Sequence, residues 1–130
     1  MTAYGTGDWV ERAALALAIP KANRGVSGNS PTYIRDRMVA DARSATDSHR
    51  AWNTVIWAGQ VDTSQWRDAL PDRSKPQAVL DVIATMVAEL GHGRYRILEV
   101  TPRRDEAGRW NHGAVVRNHL DWFNQRLATI

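Results

Sequence analysis

The segment from Ser74 to Gly91 constrains the fold most, because its start, interior and end all indicate the same helix. Ser74 is a good N-cap, Gln77 completes a capping box, and Pro76 falls in the first turn, where no hydrogen bond is lost. Gly91 can adopt the left-handed backbone conformation that commonly ends a helix. Apolar side chains recur at three- and four-residue spacings: Val79, Val82, Ile83, Met86, Val87 and Leu90. We therefore expect a central helix that is buried on most sides.

The composition excludes several kinds of site. The chain has 130 residues, 43% of them hydrophobic, which fits a single domain spanning residues 1–130. It contains no cysteine, so disulfides, cysteine zinc sites, thiolate catalysis and iron–sulfur clusters are excluded. The sequence shows neither a leader pattern nor the roughly 20 consecutive apolar residues of a membrane span. A soluble, cytoplasmic protein without membrane association is expected.

The whole pattern predicts an α+β domain that is mainly helical, with about five helices and one C-terminal antiparallel β-hairpin followed by a closing helix. β-Forming residues are dense at 94–101, and 110–116 is a plausible second strand. The spacing of Leu120, Phe123 and Leu127 predicts the closing helix at 116–127. Capping residues and apolar spacing mark the five earlier helices at about 8–17, 30–45, 51–58, 62–70 and 74–90.

Basic charge is concentrated towards the C-terminal end. Residues 1–93 contain ten Lys and Arg and ten Asp and Glu, whereas residues 94–130 contain seven and four, which accounts for the net charge of +3. Fifteen of the 17 basic residues are arginine. This preference suits phosphate or carboxylate recognition, and a GC-rich coding genome is an alternative explanation.

The predicted hairpin is the strongest functional signal. Guanidinium groups with an interleaved aromatic ring suit phosphate backbones and stacked bases. An alternative is that acidic residues of the same segment, among them Glu99, neutralise these arginines. The candidate nucleic-acid-binding residues are Arg94, Arg96, Arg103, Arg104, Arg109 and Trp110.

The order of short helix, turn, long helix and charged hairpin resembles a winged helix-turn-helix domain. Residues 62–70 and 74–90 would be its two helices, and residues 94–116 its wing. The resemblance implies DNA binding by the second helix. Its outer face offers few basic groups, so either the wing would make most of the contacts or the scaffold would serve protein binding.

Metal binding and catalysis receive little support. His112 and His119 share a face only if their segment is wholly helical, which Gly113 opposes. No glycine-rich phosphate loop, Ser/His/Asp order or close carboxylate pair is recognisable. We expect no metal, no cofactor and no catalysis. An enzyme would require a deep pocket that joins one of these histidines to a carboxylate.

These observations predict a small non-enzymatic accessory or regulatory protein that associates with nucleic acid, of the kind that mobile elements carry. Its arginines would contact phosphates and Trp110 would stack on a base. The alternative is a protein–protein interaction module, either an inhibitor of a larger complex or a component of a homo-oligomeric assembly. Six tryptophans and the apolar central helix favour that alternative.

Overall fold

The computed structural model describes residues 9–18, 29–45, 53–101 and 113–130. A short 3₁₀ helix, Asp62–Gln65, lies between the first strand and the third helix. No helix in the described ranges is long and apolar enough to cross a bilayer. These ranges contain four α-helices and two strands: α1 (Trp9–Leu17), α2 (Pro31–Ala45), β1 (Thr54–Ile56), α3 (Ser74–Leu90), β2 (Tyr95–Ile97) and α4 (Ala114–Leu127).

The central helix α3 ends as predicted but begins differently. Gly91 follows it with a left-handed φ of 66°. At the start, the predicted capping box of Ser74 and Gln77 does not form. The carboxylate of Asp72 accepts the backbone N–H of Ser74 at 2.9 Å, and the Gln77 amide donates to a carboxylate one turn further along the helix. Asp72 therefore satisfies one of the free N–H groups of the first turn.

The two strands form a parallel sheet in which Val55 of β1 lies opposite Arg96 of β2. The N–H of Leu98 donates to the carbonyl of Ile56 at 2.9 Å. Parallel strands cannot be joined by a tight turn, and here the connection contains the 3₁₀ helix and α3. The segment from β1 to β2 is therefore a β–α–β unit.

The predicted five-helix fold with an antiparallel hairpin is wrong. Residues 54–56, which were expected inside a helix at 51–58, form β1, because three consecutive β-branched residues favour extended backbone. The helix predicted at 62–70 is a single 3₁₀ turn at 62–65. The helices predicted at 8–17, 30–45 and 116–127 correspond to α1, α2 and α4.

The hairpin fails because β2 has a different partner. Residues 95–97 are extended as predicted, but they pair with β1 in parallel. Residues 110–112 of the expected second strand lie outside the described part of the chain, and residues 114–116 belong to α4. Because β2 pairs in parallel with β1 and the predicted helix at 62–70 is a single 3₁₀ turn, the winged helix-turn-helix resemblance also fails.

The core lies between α4 and the β–α–β unit. Trp66, just after the 3₁₀ helix, is buried and its ring centroid lies 4.9 Å from that of Phe123. The side-chain amide of Asn124 accepts the N–H of Val100 and donates to its carbonyl, at 3.1 and 3.0 Å, which ties the chain after β2 to α4. The buried apolar cluster comprises Ile56, Ala58, Trp66, Val79, Leu80, Ile83, Met86, Leu90, Val100, Leu120, Phe123 and Leu127.

Gly59 lies at a close approach between the chain after β1 and the core. Its φ is +97°, a conformation that side-chain-bearing residues rarely adopt. A Cβ atom there would lie 3.3 Å from Val79 Cγ1, 3.4 Å from Val100 Cγ2 and 3.5 Å from Phe123 Cζ. The chain leaving β1 therefore passes close to α3 and α4 at a position that suits glycine.

The helices α3 and α4 run in the same direction. Arg73, just before α3, contacts Asn118 near the start of α4. Tyr95, just after α3, donates its hydroxyl hydrogen to the carbonyl of Ile130 beyond the end of α4. The 17 residues of α3 span about 25 Å at 1.5 Å per residue. Side chains at its two ends can therefore form separate surfaces.

Candidate functional site

The sequence-predicted binding residues fall into two groups. Arg94 and Arg96 are exposed, next to and within β2, and no carboxylate of the described residues forms an ion pair with either. Arg96 donates from Nη1 to the carbonyl of Tyr95 at 2.8 Å. Glu99, considered as a neutralising residue, is also exposed. The remaining candidates lie outside the described residues: Arg103, Arg104, Arg109 and Trp110.

A second basic group, which the sequence did not predict, surrounds the start of α3. We call it the Arg73 cluster, and it consists of Arg73, Asn118, His119, Trp122 and Arg126. The guanidinium of Arg73 donates from Nη2 to Asn118 Oδ1 at 2.6 Å, and its Nη1 lies 2.9 Å from His119 Nδ1. Two α4 side chains therefore fix the guanidinium plane.

The hydrogen bonds of His119 define its tautomer. This imidazole is fully buried, and its Nε2 lies 2.9 Å from the backbone carbonyl of Asp68. A carbonyl oxygen can only accept, so Nε2 carries the hydrogen. A guanidinium can only donate, so Nδ1 of the ring accepts from Arg73. His119 is therefore neutral. Its contact to the turn that precedes α3 fixes the imidazole ring, and the ring in turn fixes the guanidinium of Arg73.

Trp122 joins a second arginine to the cluster. The guanidinium carbons of Arg73 and Arg126 lie over its ring, at 5.3 and 5.5 Å from the centroid. Both distances are within the roughly 6 Å at which a cation interacts favourably with an aromatic face. The indole is partly buried and Arg126 is exposed. Two positive charges are consequently held near one ring.

The cluster carries charge that its own partners do not neutralise. The acceptors of Arg73 are an amide oxygen and a neutral imidazole nitrogen. No carboxylate of the described residues forms an ion pair with Arg73 or Arg126. Arginine has five N–H donors, so two hydrogen bonds leave three on Arg73 for another acceptor. The cluster can therefore bind an anion without losing an internal contact.

Part of this cluster was visible in the sequence. Asn118, Trp122 and Arg126 are spaced four apart and share one face of α4. Arg73 could not be assigned to them, because it lies 45 residues before Asn118 in the chain. His119 was considered as a metal ligand, yet the described residues contain no group of three His, Asp or Glu placed to hold a metal ion. His112 lies outside the described residues.

A cavity of about 250 Å³ opens between the start of α2, the 3₁₀ helix and α3. Asp62 lines it, and its Oδ2 is buried without a hydrogen-bond partner. Burial raises the pKa of Asp62, and a backbone hydrogen bond partly opposes this effect. Lys75 also lines the cavity but pairs with Asp68 at 2.8 Å. His119 is not among the residues that line it, and His112 lies outside the described residues.

No protein-family model, curated protein or solved structure matches this chain. Function is therefore inferred from the charges, contacts and exposure of the residues themselves.

Proposed function

We propose that the protein is a small, non-enzymatic accessory or regulatory protein that associates with nucleic acid by contacting phosphates. The main support is the exposure of Arg94 and Arg96, which have no ion-pair partner among the described residues. The proposal also includes the predicted residues that lie outside the described part: Arg103, Arg104 and Arg109 as phosphate contacts and Trp110 as a stacking group.

The strength of such contacts depends on salt in a predictable way. Each phosphate that a protein neutralises releases condensed counterions, so the logarithm of the binding constant falls linearly with the logarithm of the salt concentration. The slope is about −0.9 per phosphate contact on duplex DNA. Each proposed arginine is therefore expected to contribute a measurable part of this slope.

Fluorescence anisotropy with a labelled, non-specific duplex tests the proposal over a series of salt concentrations. We expect Arg94→Gln and Arg96→Gln each to reduce the slope by about 0.9. Arg35→Gln is the matched control, because it removes the same charge from α2, where Arg35 pairs with Asp36 at 2.6 Å. An unchanged slope in the two test variants, or an equal change in the control, would contradict the proposal.

The alternative, a protein–protein interaction module, is favoured by one observation. Two apolar side chains near the end of α1, Leu15 and Leu17, are 73% and 67% exposed, and Tyr33 of α2 is 68% exposed. Exposed apolar side chains of this size suit a partner surface. The absence of salt-dependent duplex binding, together with self-association in sedimentation, would favour this alternative over nucleic-acid binding.

A further inference from the structure

We infer that the Arg73 cluster is a second phosphate-binding site, separate from Arg94 and Arg96. The inference rests on the proposed function in one respect, which is that the phosphate belongs to a nucleic-acid backbone. Arg73 supplies the direct contact, Arg126 adds a second charge, and Asn118 and His119 are positioning residues.

The guanidinium of Arg73 is preorganised for binding. A free arginine side chain loses rotamer freedom when it binds a ligand, which weakens binding. Here Asn118 and His119 hold both Nη atoms of Arg73 before any ligand arrives, at 2.6 and 2.9 Å. The fully buried His119 is in turn fixed by the carbonyl of Asp68. Most of the side-chain ordering that Arg73 needs in order to bind a phosphate is therefore already present.

The charge of Arg73 is partly shielded from water and has no ion-pair partner among the described residues. Arg73 is half-buried, and placing a charge away from water is costly unless an opposite charge accompanies it. The nearby acidic side chains each have another partner: Asp68 pairs with Lys75 at 2.8 Å, Asp72 accepts the Ser74 N–H at 2.9 Å, and Asp121 pairs with Arg117 at 3.5 Å. Among the described residues no carboxylate forms an ion pair with Arg73, so its charge is available to an external anion.

The donors of the cluster match a phosphate better than other groups of a nucleic acid. A guanidinium presents a planar set of donors that matches the oxygens of a phosphate. Trp122 already faces two guanidinium groups, so the cluster is suited to the charged backbone rather than to a stacked base. The start of α3 is not itself the ligand site, because Asp72 occupies the Ser74 N–H. A phosphodiester is the nucleic-acid group that fits these features.

The two basic sites can be tested independently. Arg73 precedes α3 and Arg94 follows it, so they are separated along a helix of about 25 Å. A single inorganic phosphate cannot bridge that distance, whereas a duplex with phosphates about 3.4 Å apart along each strand covers it in roughly seven steps. Inorganic phosphate therefore reports on a single site, whereas a duplex reports on both sites together.

The indole N–H resonance of Trp122 in ¹H–¹⁵N correlation spectra reports on the cluster, and Trp122→Phe assigns it. Titration with inorganic phosphate is expected to shift this resonance until it saturates. Sodium chloride at matched ionic strength and sodium acetate are expected to leave it nearly unchanged. Arg73→Gln should abolish the phosphate response, and Asn118→Ala should weaken it. Arg35→Gln should retain the full response, since it removes the same charge elsewhere.

Duplex binding completes the experiment. We expect Arg73→Gln to reduce the salt slope by about 0.9 in addition to the effect of Arg94→Gln. Arg73 also contacts the core, so Arg126→Gln, at an exposed position, serves as a second variant and should also reduce the slope. Circular dichroism checks that the variants remain folded.

The outcomes separate the two proposals. The inference is overturned if Trp122 responds to phosphate no more than to chloride or acetate, or if Arg73→Gln and Arg126→Gln leave the salt slope unchanged. If these results accompany a reduced slope in Arg94→Gln, the proposed function stands without a second site. If Arg73→Gln reduces the slope and Arg94→Gln does not, the second site stands and the role of Arg94 is wrong.

Discussion

Replacing Gly59 by alanine tests how closely the chain after β1 is packed between α3 and α4. The backbone φ of +97° at Gly59 is unfavourable for any residue with a Cβ atom. An added Cβ would also approach Val79 Cγ1 to 3.3 Å, which is closer than ordinary van der Waals contact. Both effects act on the folded state, so the variant should lower the free energy of unfolding.

The expected magnitude follows from these two contributions. A left-handed backbone costs an alanine roughly 1 to 2 kcal/mol. Only the contact at 3.3 Å is tighter than ordinary van der Waals contact, and relieving it requires a shift of a few tenths of an ångström, which adds about 1 kcal/mol. The total of about 2 to 3 kcal/mol corresponds to a fall in Tm of roughly 6 to 12 °C for a domain of this size.

Urea denaturation and thermal unfolding, both followed by circular dichroism, provide the measurement. Gly93→Ala is the matched control, because a Cβ atom at Gly93 would have no neighbour within 4 Å and its φ is not positive. We expect the control to change the free energy of unfolding by less than about 0.5 kcal/mol. A Gly59→Ala variant as stable as Gly93→Ala would refute the close approach of β1, α3 and α4 at this point.

Two further predictions concern carboxyl groups near the 3₁₀ helix and the start of α3. Asp62→Asn should raise Tm slightly at neutral pH, because burial raises the pKa of Asp62 and so disfavours its ionised form in the folded protein. The gain should disappear below pH 3.8, where Asp62 is protonated in both states. Asp72→Asn should lower Tm at neutral pH, because hydrogen bonds from Ser74 lower the pKa of Asp72, and this loss should shrink as pH falls below 3.8. Thermal unfolding from acid to neutral pH checks both, and profiles that run parallel to the wild type would contradict them.

The helix α3 could be predicted because its signals are local. The stop at Gly91 depends on one glycine, and the buried face depends on spacing within a single element. The cap was assigned incorrectly because Asp72 and Ser74 are both good cap residues and lie two positions apart. The backbone geometry of the preceding turn decides between them, and the sequence does not specify it.

The strand β1 and its pairing could not be predicted in the same way. Apolar residues around 51–58 fit a helical spacing, and a run this short is ambiguous between helix and strand. The pairing of Val55 with Arg96 joins residues 41 positions apart, on either side of α3. Such a contact depends on how the intervening helix packs.

The Arg73 cluster was missed for the same reason. Its α4 members are regularly spaced, but the chemistry depends on Arg73, which reaches them from the turn before α3. By contrast, Arg94 and Arg96 lie close together in the sequence, so they could be proposed from it, and their binding role stays a prediction. A basic group that is continuous in the chain can be proposed from the sequence, whereas one that folding assembles cannot.

The β–α–β arrangement also determines how the molecule opens. Ile56 of β1 is buried in the same apolar cluster as α3, and a two-stranded pair is only marginally stable alone, so a fluctuation that detaches α3 is expected to separate the two strands as well. The backbone amides of the ladder and those in the middle of α3 should exchange with deuterium in one cooperative event. The small sheet thus belongs to the same unfolding unit as the largest helix, despite its three-residue strands.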